Sequence, residues 1–227
     1  MRVAPVAESD PGRRPGLTRE RVLSAAIELA DQEGIEAVSM RRLASELGVE
    51  AMSLYTHVRS KDDLLDGMVD ALIATIPAAR EPRRVGWKTA LRRLVMGARA
   101  ELLRHPWAPP VIESRTTAGP AVPRYFDVVI GILRDGGFSV EQAHHALHIL
   151  GSRALGFTQD LFDDSDEVDP AAAEAFAAQV GETMPYVAEM ALAATHSGQL
   201  GGCDDDVEFA FGLELILDGL ERQRNPG

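Results

Sequence analysis

Leu64, Leu65, Met68, Val69, Leu72, Ile73 and Ile76 recur at the spacing of one helix face, and nearly every other stretch of the chain follows the same rule. No stretch sustains the period-two alternation, rich in β-branched residues, that a half-buried strand needs. The chain therefore reads as all-α. Thr18 caps a first helix that runs to Glu33 and stops at Gly34. A second helix starts after Ser39 and ends near Leu47, Gly48 turns the chain, and a short third helix covers about Ala51 to Val58. The fourth follows from Ser60, and Pro77 and Pro82 mark a hinge after it. Beyond the hinge, helices are expected over about Val85–His105, around Val111, over Val122–Asp135, and from the capping box Ser139-Val-Glu-Gln142 to about Phe162. An Ala-rich segment from Asp169-Pro170 to about Thr195 is interrupted near Gly181–Pro185, and a last helix runs from Asp204–Asp206 to Arg224.

The chain's net charge of −12 argues at first against nucleic acid. Its distribution reverses that reading. Residues 1–61 hold nine basic and nine acidic side chains, whereas residues 62–227 hold 14 basic and 26 acidic ones. Any DNA contact must come from the neutral first quarter. No apolar run approaches the roughly 20 residues of a membrane span, and the first sixteen residues lack the apolar core of a signal peptide. Cys203 is the only cysteine, so an intrachain disulfide is excluded and a cytoplasmic location is expected.

Between Ser39 and Lys61, Ala44, Gly48 and Leu54 fall where a helix-turn-helix needs a small contact, a turn and an apolar joint. Leu43, Leu47, Val49 and Val58 complete a mini-core. The other face of the short helix then carries Ala51, Met52, Ser53, Tyr55, Thr56 and His57: small groups for close approach, methyls for thymine, hydroxyls for phosphate or base edges.

The run from Thr18 to about Ile73 resembles the DNA-binding domain of the TetR (tetracycline repressor) family. The resemblance rests on Gly34-Ile-Glu36, Arg42-Leu-Ala44, Leu47-Gly-Val49, Leu54-Tyr-Thr-His-Val58 and Lys61-Asp-Asp-Leu-Leu65. It implies DNA contacts from Tyr55 and His57, a base-reading Arg41 beside Ser39 at the start of helix two, and a phosphate-binding Lys61. Ala51-Met52 stands where the tetracycline repressors proper carry Gln–Pro, and Thr56 where they carry Trp. A different operator is expected.

Gly137-Phe-Ser139, Ala146-Leu147 and Phe211–Gln223 resemble the regulatory domain of the same branch. That likeness implies an effector cavity and a homodimer formed through a four-helix bundle. The carried-over cavity positions are Leu94, Ala98, Ile112, Arg115, Val129, His144, Leu147 and Asp160. The metal-binding His of the drug-responsive repressors corresponds to Ile112, so no metal and no other cofactor is expected. The effector is read as a small organic molecule, mostly hydrophobic, with Arg115, His144 and Asp160 as its polar anchors. For the bundle the expected interface is Gly151 with Phe209, Leu213, Ile216, Leu217 and Leu220.

The expected organisation is an arm over 1–16, the helix-turn-helix over 17–62, and a ligand-binding and dimerising domain over 63–227. His144, His145 and His148 form H-H-x-x-H without a third ligand or the metalloprotease Glu, and Asp163–Asp169 lacks the calcium loop's Gly. A metal-dependent helical enzyme is therefore the remote alternative. The leading expectation is a non-enzymatic regulator that binds double-stranded operator DNA as a homodimer, without membrane association, and is released by its effector. An activator or a ligand-independent regulator is the alternative within the same class.

Overall fold

The computed structural model describes residues 16–76, 85–115, 119–155, 170–196 and 205–224. Among these every regular element is a helix, and none is long and apolar enough to cross a membrane. The chain divides into two compact units, one of residues 1–77 and 98–125, the other of residues 78–97 and 126–227.

In the first unit, α1 (Arg19–Glu33), α2 (Met40–Leu47), α3 (Ala51–Leu54) and α4 (Lys61–Thr75) each begin where a local hydrogen bond starts the helix or turns the chain. Thr18, Ser39 and Ser60 cap α1, α2 and α4 by accepting the main-chain N–H three residues on, from Arg21, Arg42 and Asp63. Gly48 ends α2 at φ 65° and ψ 38°, a left-handed turn that returns α3 against it. Gly34 also has positive φ, 85°, but its ψ of 164° is extended, so it leads into the turn Ile35–Ala37 rather than forming a left-handed helix stop. The expected third helix proves shorter: after Leu54 the chain continues in turns, with the amides of His57 and Val58 both bonded to the Leu54 carbonyl. Val22, Ala26, Leu43, Leu54, Val58, Leu64 and Met68 meet in a core with no exposed surface. Burying each of the larger side chains stabilises the unit by about 1.5–3 kcal/mol.

The same unit includes α6 (Ala108–Ser114) and the ends of two helices, α5 (Trp87–Arg104) and α7 (Ala121–Asp135), that continue into the other unit. Pro109 and Pro110 sit in the first turn of α6, where a missing N–H costs nothing. Buried Trp107, with His105, anchors this segment to α1: the indole Nε1 donates to Asp31 Oδ1 and His105 Nδ1 meets the same oxygen, both at 2.7 Å.

In the second unit, α8 (Val140–Leu155) opens with the expected capping box. Ser139 N–H donates to Gln142 Oε1 at 2.8 Å, and Gln142 N–H returns to Ser139 Oγ at 3.0 Å. The last helix, α11 (Asp205–Arg224), packs on α8 and buries Phe209, Leu213, Leu217 and Leu220. Arg92 grips Glu214, with Nη2 donating to Oε2 at 2.7 Å, Lys88 pairs with Asp218, and Trp87 Nε1 donates to Glu221 at 3.1 Å. α9 (Pro170–Val180) and α10 (Pro185–His196) form a hairpin on Ala177, Val180 and Ala188, broken at Gly181–Met184 as the sequence implied.

Candidate nucleic-acid interface

The helix-turn-helix sorts its side chains as groove reading requires. Leu54 and Val58 are fully buried, while Met52, Ser53, Tyr55 and Thr56 are exposed and Ala51 and His57 half-exposed. Met52 is 74% exposed. A four-residue α3 cannot hold itself by its own hydrogen bonds. Its exposed face is fixed from below by the two apolar anchors and from the side by Thr56, whose hydroxyl donates to the Ser53 carbonyl at 2.7 Å. Ser39 and Arg41 lie exposed at the start of α2, and Lys61 lies exposed at the first position of α4. Arg42, next to Arg41, is occupied by Glu33 and Glu46 at 2.7 and 3.0 Å and belongs to the scaffold.

Three carboxylates organise α4, two of them, Asp66 and Asp70, beyond the quoted motif. Asp62, Asp66 and Asp70 stand at i, i+4 and i+8, on one face. Arg115, just past the end of α6, donates from Nε to Asp66 at 2.6 Å and from Nη1 to Asp62 at 3.0 Å. Asp70 accepts the N–H of Ala121, the first residue of α7, at 2.5 Å. A Cβ at Gly119 would run into the Asp70 carboxylate, so this approach favours glycine. The signal was present as an acidic face on a helix; its partners are about fifty residues away and leave no local trace.

The positions carried over for an effector fall in both units. Leu94 and Val129 are buried and Leu147 half-buried in the second unit, where His144 is exposed with its ring 4.6 Å from that of His148. Ala98 is buried and Ile112 half-buried in the first unit. Arg115, expected to orient the effector, is engaged by Asp62 and Asp66 on a polar surface cleft that also includes Arg59, Ser60 and Ser114. Asp160 lies outside the described residues. Among the described residues no three His, Cys, Asp or Glu side chains converge as metal ligands.

Most residues expected at a dimer surface are already buried in the single chain. Phe209, Leu213, Leu217 and Leu220 are at most 8% exposed there. Ile216 and Gly151 are only half-exposed. The apolar residues that α11 does present are Val207, Phe211 and Leu215, again at i, i+4 and i+8, each more than half exposed, with Val140 and Ile149 exposed on α8.

Residues 22–68 match the family model for bacterial regulatory proteins of the tetR family, and residues 80–224 match the tetracyclin repressor-like C-terminal domain. The HTH-type transcriptional repressor DrrR1 of Streptomyces coeruleorubidus is 34% identical over 92% of this chain and 79% of its own length. The class C tetracycline repressor protein of Escherichia coli is 30% identical over 92% of each chain. The crystal structure of the TetR family protein ActR of Streptomyces coelicolor in complex with (S)-DNPA superposes with a TM-score of 0.74 at 27% identity, covering 93% of this chain and 100% of ActR. With both halves matched and its helix-turn-helix face open, the chain belongs to the TetR family of DNA-binding transcriptional regulators.

Proposed function

We propose that the chain is a cytoplasmic, non-enzymatic repressor that binds its operator as a homodimer and leaves it when a small organic effector binds. The observation that carries this reading is the double use of α4. Its first residue, Lys61, is exposed, and its aspartate face grips Arg115 and the first residue of α7. A change in the α6–α7 connection thereby reaches the DNA-facing residues through one helix. The effector's free-energy leverage is its higher affinity for the conformer that fits DNA poorly.

Homology supports the sign and the kind of effector. DrrR1 and the class C protein are repressors, and ActR is crystallised with a small organic molecule. In the second unit we assign Leu94, Val129 and Leu147 as effector lining, with His144 as a polar anchor. For the dimer we assign Val207, Phe211 and Leu215 with Ile149, which would place two copies of α3 about 34–36 Å apart in successive major grooves. We assign 17–62 as the DNA-binding domain and 63–227 as the regulatory domain; the expected arm lies, but for Gly16, outside the described residues.

The test is enrichment of bound duplexes from a random pool, then screening of organic compounds for release of the enriched duplex. Release by an organic compound in the presence of chelator supports the reading. Release only with an added divalent ion, or transcription in vitro that rises when the protein is added, contradicts it.

A further inference from the structure

Arg19 is the first residue of α1, immediately after its cap Thr18. Its guanidinium reaches a different part of the fold. Nη1 donates to the main-chain carbonyl of His57 at 2.7 Å and to Asp63 Oδ2 at 3.2 Å, and Nη2 donates to Asp63 Oδ1 at 2.7 Å. Asp63 closes the loop from its own side: Oδ2 accepts the Arg59 N–H at 2.8 Å, and its N–H donates to Ser60 Oγ at 3.1 Å. One planar fork thus joins the start of α1, the turn that follows α3, and the first turn of α4. Gly67, one turn along α4, makes room for it. A Cβ there would lie 2.7 Å from Leu23 Cδ2 and 3.0 Å from Arg19 Nη2.

The need for such a tie follows from the brevity of α3. Tyr55, Thr56 and His57 stand in turns rather than in a helix, and Lys61 opens the next helix. Leu54 and Val58 fix the depth of this segment but not its lateral placement, which apolar contacts constrain weakly. Directional hydrogen bonds to the His57 carbonyl and to Asp63 supply that constraint from both ends of residues 57–63.

We propose that Arg19 is a positioning residue for DNA recognition: it touches no DNA, and through His57 and Asp63 it sets where His57 and Lys61 meet the duplex. Lysine cannot replace it, because a single ammonium cannot serve both carboxylate oxygens and the carbonyl in one plane. The inference rests on DNA binding alone, and the effector plays no part in its test.

The probe is a duplex enriched from a random pool by the unmodified protein. Its affinity is measured against salt concentration for Arg19→Gln, Arg19→Lys, Asp63→Asn and the double variant Arg19→Gln/Asp63→Asn. Measurements are made at a temperature where circular dichroism shows each variant helical. Each single variant is expected to bind about tenfold more weakly with an unchanged salt slope, and the double variant no more weakly than the worse single one. Arg19→Lys is expected to lose as much as Arg19→Gln, and it supplies the answer if Arg19→Gln does not fold. A slope reduced by about one in Arg19→Gln and restored in Arg19→Lys would make Arg19 a phosphate contact and overturn the proposal. Unchanged affinity, or additive losses in the double variant, would overturn it as well.

Discussion

Arg115 Nε lies 2.6 Å from Asp66 Oδ1, so the end of α6 is tied by an ion pair to the middle of α4. The guanidinium side chain is only 16% exposed and also reaches Asp62, whose own side chain is 78% exposed and therefore adds less. This pairing changes what Arg115 is expected to do. As an effector anchor it could be removed without loss of DNA binding. As a tie to α4 it could not. Arg115→Ala should weaken duplex binding by about 0.5–2 kcal/mol, with Asp66→Asn giving a similar loss. Fluorescence anisotropy without effector checks this; intact DNA affinity with a lost effector response would return Arg115 to the anchor role.

Lys61 stands exposed at the start of α4. Lys61→Ala should weaken binding about equally on all sequences and reduce the log–log salt slope by about one. A slope equal to that of the unmodified protein places Lys61 off the interface.

Two apolar stripes run along α11, and they are expected to answer differently to a charge. Leu213 is 1% exposed within the protomer, so Leu213→Glu buries an unpaired carboxylate and should destabilise the fold by several kcal/mol. Phe211 is 61% exposed, so Phe211→Glu should leave a folded chain that no longer pairs. Light scattering with thermal melts separates the two; a dimeric Phe211→Glu variant would refute the redrawn interface.

Acid should loosen the second unit through Glu214. Hydrogen bonding from Arg92 holds its carboxyl below the ordinary value of 4.5. The stabilisation is therefore complete above that value and lost as pH falls through the lowered folded value. Glu214→Gln should lower the melting temperature at pH 7, and the difference from the unmodified chain should shrink as pH falls below about 4.5. A difference constant from pH 7 to pH 3 would show that the carboxylate charge does not matter there.

Much of this was legible in the chain itself, where the determinants are local. Thr18, Ser39, Ser60 and the Ser139–Gln142 box start helices where hydroxyls and an amide can meet nearby N–H groups, and Gly48 turns where only a positive φ serves. The exposed set on the short helix followed from which residues around Leu54 and Val58 were left outside. Tertiary choices were not legible. On α11 the set Phe209, Leu213, Leu217 and the set Val207, Phe211, Leu215 are equally apolar and equally periodic. Only tertiary packing decides which faces inward. Arg115 could have served a ligand or a carboxylate, and its choice of Asp66 spans 49 positions of chain.

A random duplex pool tests operator binding by a homodimer most directly. Enrichment followed by mass measurement of the complex should give a two-fold symmetric sequence, its half-sites about one helical turn or a multiple apart, bound by two chains. Addition of a releasing organic compound should return free duplex and an intact protein dimer. Enrichment of no sequence, or of an asymmetric site bound by a single chain, would contradict it.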